Sequence, residues 1–459
     1  MKKLFCILIL LSPLMAFAQQ NEDKSFPLDY TWKNIGNAGF SADAAKYISI
    51  AVSPAGQPYL AYQDFGNSEK ATVMKFDGTN WVYVGSAGFS AGTADYTSLR
   101  FSPSGEPYVA FEDYGNSYKA TVMKFDGSNW VNIGNAGFSA GSVACTSLAF
   151  SPSGQPYLAY TDYGNTGKAT VMKFNGTNWV NEGIAGFSEG GAGGMNLAFS
   201  PSGEPYVAFG DGMKSNKATV MKFDGTHWVI IGNAGFSTGG AGYTSIAFSL
   251  SGQACVAFTD IANSYKATVM KFDGTNWVNV GNAGFSTGRS DYLSLAFGLS
   301  GQPYVAYEDW GNSYKATVMK FDGTNWVNVG AAGFSGGEAQ YTSLAFSLSG
   351  QPYVGFWDFG NSYKATVMKY DSVYMGIDEH RQLQLSIYPD PVSALLTIET
   401  PATPAKSQLS IMDVNGRQLL TRQVTESKTQ LDISNLPGGV YFVKLTNDRN
   451  VTMGKFIKQ

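Results

Sequence analysis

Histidine is almost missing from this chain, with two in 459 residues, His227 and His380. A histidine-dependent catalytic triad or a histidine-rich metal site therefore lacks its main ingredient, and no catalytic residue, metal or cofactor is expected. Cysteine is nearly as scarce. Cys6, Cys145 and Cys255 are the full set, too few for the disulfide framework that staples small exported domains. Charge is thin as well. Only 14% of residues are charged, the net charge is −4, and no basic cluster occurs, so nothing attracts a phosphate backbone and nucleic acid is excluded as a partner.

The opening "MKKLFCILILLSPLMAFAQQ" has a basic start, an apolar run too short to span a bilayer and an A-x-A pattern ending at Ala18. It reads as a signal peptide over residues 1–18. Cleavage there takes Cys6 away and leaves no cysteine at the new terminus to carry a lipid, and no transmembrane segment is expected in what remains. What is abundant points to strands: 54 glycines, 14% aromatics and 44% hydrophobic residues suit many short strands around a large core.

The stretch "KATVMKFDG" recurs with its lysine at Lys70, Lys119, Lys168, Lys217, Lys266, Lys315 and Lys364, always 49 residues apart. In the second copy, four segments alternate side chains with period two, around residues 96–101, 108–112, 119–125 and 130–133. Pro-Ser-Gly, Gly-Asn and Asp-Gly turn signals separate them. Four antiparallel strands per repeat make one propeller blade, and seven repeats over residues 29–370 imply a closed seven-bladed β-propeller, because closure removes exposed sheet edges. The period resembles that of Kelch-type propellers. The resemblance is architectural only, since the paired glycines of a Kelch blade are missing, and it implies no partner or activity.

Tryptophan shows how the ring closes. It recurs from Trp32 to Trp326 at the same spacing, but position 375 is methionine, so the last repeat lacks its own fourth strand. The segment "DYTWKNIG" at residues 29–36 is expected to supply it. Cys145 and Cys255 stand where most repeats hold tyrosine, and both read as buried substitutes for that ring.

After Tyr370 the composition shifts. Residues 371–384 read as a polar linker, and strands near 395–399, 408–414, 418–424, 429–433, 439–446 and 451–457 suit a small immunoglobulin-like β-sandwich over residues 385–459. The motifs "SIYPDPVSALLTIE", "VNGRQLL", "LDISNLPGGVYFVKL" and the final "GKFIKQ" follow one another in order. This segment strongly resembles the C-terminal sorting domain of type IX secretion cargo. The resemblance implies recognition by the type IX secretion machinery through Tyr388, Pro389, Asp390, Pro391, Gly416, Gly439, Tyr441 and Lys455, and a product secreted or attached to the outer-membrane surface. That family usually has asparagine where Asp390 stands, and both residues suit such a turn.

In a propeller blade, successive loops alternate between two faces. On one face the turns barely vary: "SPSGQP" or a relative, and "FDGTNW". The aspartates of the latter, Asp77, Asp126, Asp224, Asp273 and Asp322, read as turn chemistry and not as calcium ligands, because Asn175 replaces one of them. On the other face the loops differ from repeat to repeat, which marks either a binding face or neutral drift. Each varied loop opens with an aspartate that precedes the repeat's lysine by six residues. A cross-strand ion pair or a turn cap explains it, and the alternative is a ligand role. In five repeats an aromatic follows, giving Asp64 with Phe65, Asp113 with Tyr114, Asp162 with Tyr163, Asp309 with Trp310 and Asp358 with Phe359. Aromatic faces stack on sugars while carboxylates accept hydroxyl hydrogen bonds, so these ten are the candidate ligand-binding residues. The expected function is multivalent carbohydrate binding at weak repeated sites. A protein-binding adhesin or scaffold is the alternative, and a polysaccharide-active enzyme is disfavoured because near-identical repeats lack the differentiated groups that catalysis needs.

Overall fold

A computed structural model describes residues 29–373, 385–399, 407–413, 418–424, 426–446 and 451–459. The leader with Cys6, residues 374–384 of the linker with His380, and Gly416 lie outside the described residues. The chain divides into two compact units, Met1–Tyr374 and Met375–Gln459.

In the first unit each repeat forms a four-stranded antiparallel sheet. In blade one, Ala45–Val52 is innermost, followed by Pro58–Asp64, Lys70–Phe76 and the outer Trp81–Tyr83. A blade is covered on both faces by its neighbours, so the centres of its middle strands are apolar or small and buried. The second strand of blade two, Pro107–Asp113, is buried along its whole length. Innermost strands pack on one another in chain order, and Ala339–Phe346 of blade seven packs on Ala45–Val52, closing a ring of seven.

Closure uses the expected strand. Asp29–Asn34 pairs antiparallel with Lys364–Val373, with Trp32 opposite Tyr370, and completes blade seven. Trp32 Nε1 donates to the Val329 carbonyl at 2.6 Å, and the ring stacks on Phe334 at 4.2 Å. The same bond recurs at every blade boundary, as in Trp81 to Ile35 and Trp130 to Val84, both 2.7 Å. A second belt lies inside. Leu99 N–H donates to Ser49 Oγ at 3.0 Å, and this bond repeats around the ring to Ile50 N–H on Ser343 Oγ at 3.1 Å, with Asn196 standing in for serine in blade four.

Each innermost strand carries a β-bulge whose central residue is left-handed: Tyr47, Tyr96, Tyr243, Tyr292 and Tyr341 at φ 47–53°, Cys145 at 52° and Gly194 at 59°. The five tyrosines form a collar at one end of the axial cavity, with neighbouring ring centroids 4.6–5.2 Å apart. Cys145 and Gly194 leave it open at blades three and four. Cys145 is therefore only partly buried, because the bulge turns it toward the cavity. Cys255 is buried in the second strand of blade five, where desolvation pushes its thiol up to about 12.

The second unit is two sheets sharing one core. Ser386–Tyr388, Leu395–Glu399 and Lys428–Asp432 form one, and Gln418–Val424, Ser407–Met412, Gly439–Thr446 and Val451–Lys458 the other. Leu396, Ile398, Leu409, Ile411, Val443 and Phe456 fill the space between. The Tyr388-Pro389-Asp390-Pro391 turn is stitched to the last strand. Asp390 Oδ1 accepts from Ile457 N–H at 2.8 Å, and Val392 N–H donates to the Ile457 carbonyl at 2.8 Å. Tyr441 packs on Phe456 and donates its hydroxyl to the Pro437 carbonyl at 2.9 Å, Gly439 pairs with Lys458, and Lys455 is exposed opposite Phe442.

Candidate functional site

The varied loops after the second strands each fold as one short 3-10 turn, and the recurring aspartate is its cap. Asp64 Oδ1 accepts from Gly66 N–H at 3.1 Å, while Oδ2 accepts from Asn67 Nδ2 at 2.9 Å and Thr72 Oγ1 at 2.8 Å. Thr72 Oγ1 in turn accepts from Gly88 N–H, at the entry to the next blade, at 2.8 Å. The threonine bond recurs in all seven blades, and in blades three and seven Asp162 and Asp358 keep it without the N–H cap. Relative exposures of the seven aspartates run from 0 to 3%. This corrects the ligand role expected of Asp64, Asp113, Asp162, Asp309 and Asp358: their carboxylates are sealed beneath the loop and bonded to internal donors, although Oδ1 of Asp162 and of Asp358 is buried without a partner among the described residues. No ion pair joins these aspartates to the lysines opposite them among the described residues, although the backbone register pairs Asp64 with Lys70. The turn cap is the explanation that stands.

Asp113→Ala should accordingly destabilise the fold by about 1–3 kcal/mol, since Gly115, Asn116 and Thr121 lose a buried acceptor. Asp126 is exposed and accepts only from Ser128 N–H and Asn129 N–H in its turn, at 2.8 and 2.7 Å. Asp126→Ala should cost less. Equal losses in a denaturant titration of the two variants would contradict the assignment.

The aromatics behave differently. Tyr163, Phe359, Trp310 and Tyr114 are 59, 50, 40 and 37% exposed, and Phe65 is half-buried with Lys46 Nζ 5.0 Å from its centroid. The fold adds a second aromatic at the end of the same loop, which the aspartate–aromatic pattern passed over. Tyr118, Tyr314 and Tyr363 sit four positions on, in left-handed conformation at φ 61–65°. They meet the first ring edge-on or tilted at 4.3, 4.8 and 5.0 Å. The "NSY" before the lysine was the available signal.

Between blades one and two these loops frame a cleft of about 330 Å³. Phe65 and Tyr114 supply apolar faces, Lys46 and Gln63 donors, and Glu69 and Asp95 acceptors. Asp95 accepts from Gln63 Nε2 and from the Tyr114 hydroxyl, the latter at 2.9 Å. Burial raises the Asp95 pKa, and burial with the Asp95 charge pushes Tyr114 up to about 12. Cross-strand from Asp95 lies Glu112, pushed up to about 7 by burial and that neighbour. Blade six repeats the arrangement: Glu308 faces Asp291 and is pushed up to about 7 by burial and that neighbour. There Arg289 Nε bonds Asp291 at 2.9 Å, and its guanidinium lies 4.2 Å from the Trp310 centroid. At the matching positions of blade four the chain has only Gly193, Gly194, Gly210 and Gly212. Among the described residues, no three histidine, cysteine, aspartate or glutamate side chains cluster to hold a metal.

The cargo route is decided by the second unit. Residues 386–459 match the family of secretion system C-terminal sorting domains. This sorting domain implies the type IX secretion machinery as a partner, secretion, and attachment to the outer-membrane surface. No helix among the described residues is long and apolar enough to cross a membrane. No curated protein matches the chain.

Several solved structures are similar to it at low identity. PorZ of Porphyromonas gingivalis, a surface component of the type IX secretion system, is 14% identical, with 93% of this chain and 61% of that one covered and a TM-score of 0.44. This chain thus spans about three fifths of PorZ. An ulvan lyase of polysaccharide lyase family PL25 is 11% identical over 75% of this chain and 96% of its own, with a TM-score of 0.47. The Aleuria aurantia lectin is 17% identical over 64% and 97%, with a TM-score of 0.42.

Proposed function

We propose that the propeller is a surface-displayed carbohydrate-binding protein whose sites are the clefts between blades on the varied face. The cleft between blades one and two carries this reading. Its volume lies at the lower end of the roughly 300–1,000 Å³ of small-ligand sites. Its walls combine the exposed ring of Tyr114 and the half-buried ring of Phe65 with donors and acceptors of both signs, which suits a neutral polyol better than a charged or wholly apolar ligand. Valency is lower than seven, since glycine replaces the gripping side chains in blade four.

The test is titration of the full chain with oligosaccharides selected on a glycan array. Lys46→Ala with Tyr114→Ala should weaken binding about ten- to hundredfold, combining a lost stacking face with a lost charged donor. Tyr114→Phe keeps the ring and should lose less. Ile261→Ala, in blade five beside the glycine-rich stretch, should change nothing. A double variant that binds like its parent would take the sites away from this cleft.

A protein-binding scaffold is the second reading, favoured by the opposite face. There Leu250, Leu299 and Leu348 are 74, 61 and 75% exposed in blades five to seven, where blades one to four carry Pro54, Pro103, Pro152 and Pro201. Binding that sugars fail to inhibit and that leucine substitution abolishes would favour it. The proposal assigns no turnover, and a polysaccharide-degradation assay with Glu112→Gln and Glu308→Gln tests that part.

A further inference from the structure

The seven innermost strands enclose an axial cavity of about 1440 Å³. Its lining is repetitive. Two residues past each belt serine, six blades place alanine, including Ala51 and Ala149 on the flanking strands, while blade two places Arg100. Arg100 is the one charged side chain among the lining residues. Its Nη1 donates to the Leu99 carbonyl of its own strand at 2.8 Å, and no carboxylate pairs with it among the described residues. Desolvation lowers its pKa, yet a guanidinium stays protonated in any protein environment.

A half-buried cation without a counter-charge on a mostly apolar and hydroxyl-bearing wall gains little to offset its lost hydration, and six alanines show that the ring closes without it. The remaining N–H groups of the planar fork have the geometry to hold two oxygens of one anionic group side by side. Around it, belt hydroxyls such as Ser98 Oγ, which accepts Leu148 N–H at 3.1 Å, retain an O–H to donate. We infer that Arg100 anchors a second binding site, inside the axial cavity, for a small ligand bearing an oxyanion, either a carboxylate or a sulfate. The site is separate from the inter-blade clefts and holds whether or not those bind sugar.

The substitution that removes it is benign by construction, because Arg100→Ala installs the residue that the other six blades carry. The full chain and this variant are titrated with glucuronate, glucose and inorganic sulfate, and melted with and without each. The parent should bind glucuronate saturably, Arg100→Ala should lose that affinity by about tenfold or more, and Arg100→Lys should fall between them. Glucose should not compete with glucuronate. Sulfate that competes extends the site to sulfate esters, and sulfate that fails to compete confines it to carboxylates. In buffer free of oxyanions, Arg100→Ala should melt at or above the parent, and only the parent should gain stability from glucuronate. Undiminished glucuronate binding by Arg100→Ala, absence of saturable binding of both anions by the parent, or a variant that melts well below the parent would each overturn the assignment.

Discussion

Deleting residues 20–38 should open the ring and give the largest stability loss of any small change to this protein. The loss has three parts. The strand Lys364–Val373 becomes a sheet edge, with a row of backbone donors and acceptors once paired to Asp29–Asn34. The 6% exposed Trp32 ring leaves its stack on Phe334, and the Val329 carbonyl loses its donor. Trp32→Ala alone removes the side-chain part, about 3–5 kcal/mol by comparison with other buried aromatics. Trp130→Ala makes the same change within a blade whose strands are contiguous in sequence. Calorimetry of the full chain should therefore rank the parent above the two tryptophan variants, and those above the deletion. The deletion should also self-associate through its open edge. A deletion variant that melts with Trp130→Ala and stays monomeric would mean that closure contributes nothing beyond the tryptophan.

Truncation after residue 377 should abolish export. The sorting unit is a separate compact unit with its own core of Leu396, Ile398, Leu409, Val443 and Phe456, so its removal should leave the propeller folded and held in the periplasm. A finer version is Asp390→Ala, which takes the acceptor from Ile457 N–H and loosens the Tyr388–Pro391 turn from the last strand. It should reduce export while leaving propeller stability unchanged. Fractionation with immunodetection reads both outcomes. Normal amounts of truncated protein outside the cell would refute the assignment of export to residues 386–459.

Much of the fold was legible because repetition multiplies weak signals. One Asp-Gly flanked by alternating residues suggests a hairpin, and near-copies of it at a constant interval require a blade. The missing eighth tryptophan told which strand closed the ring for the same reason, since an absence is visible only against a period. The site was far less legible. Asp113 and Tyr114 are neighbours in the chain and have opposite fates: the carboxylate turns down onto Gly115, Asn116 and Thr121, and the ring turns out. No spacing rule distinguishes an acid that caps a turn from one that meets a ligand, because both favour the end of a strand. Tyr118 escaped notice because it reaches Tyr114 only across a 3-10 turn that ends in two left-handed residues, Ser117 and Tyr118.

The residues alone determined the all-β class, the seven blades, the strand that seals them and the sorting signal at the end. These depend on local alternation, turn chemistry and period, all of which are properties of neighbouring residues. Only the tertiary structure decided that the loop aspartates are interior, that Lys46 and Gln63 of one blade meet Asp95 and Tyr114 of the next, and that Arg100 faces the axial cavity. The last two facts arise where residues 32 to 68 positions apart converge across a blade boundary or around the ring axis, and the geometry of closure sets which side chains point inward there.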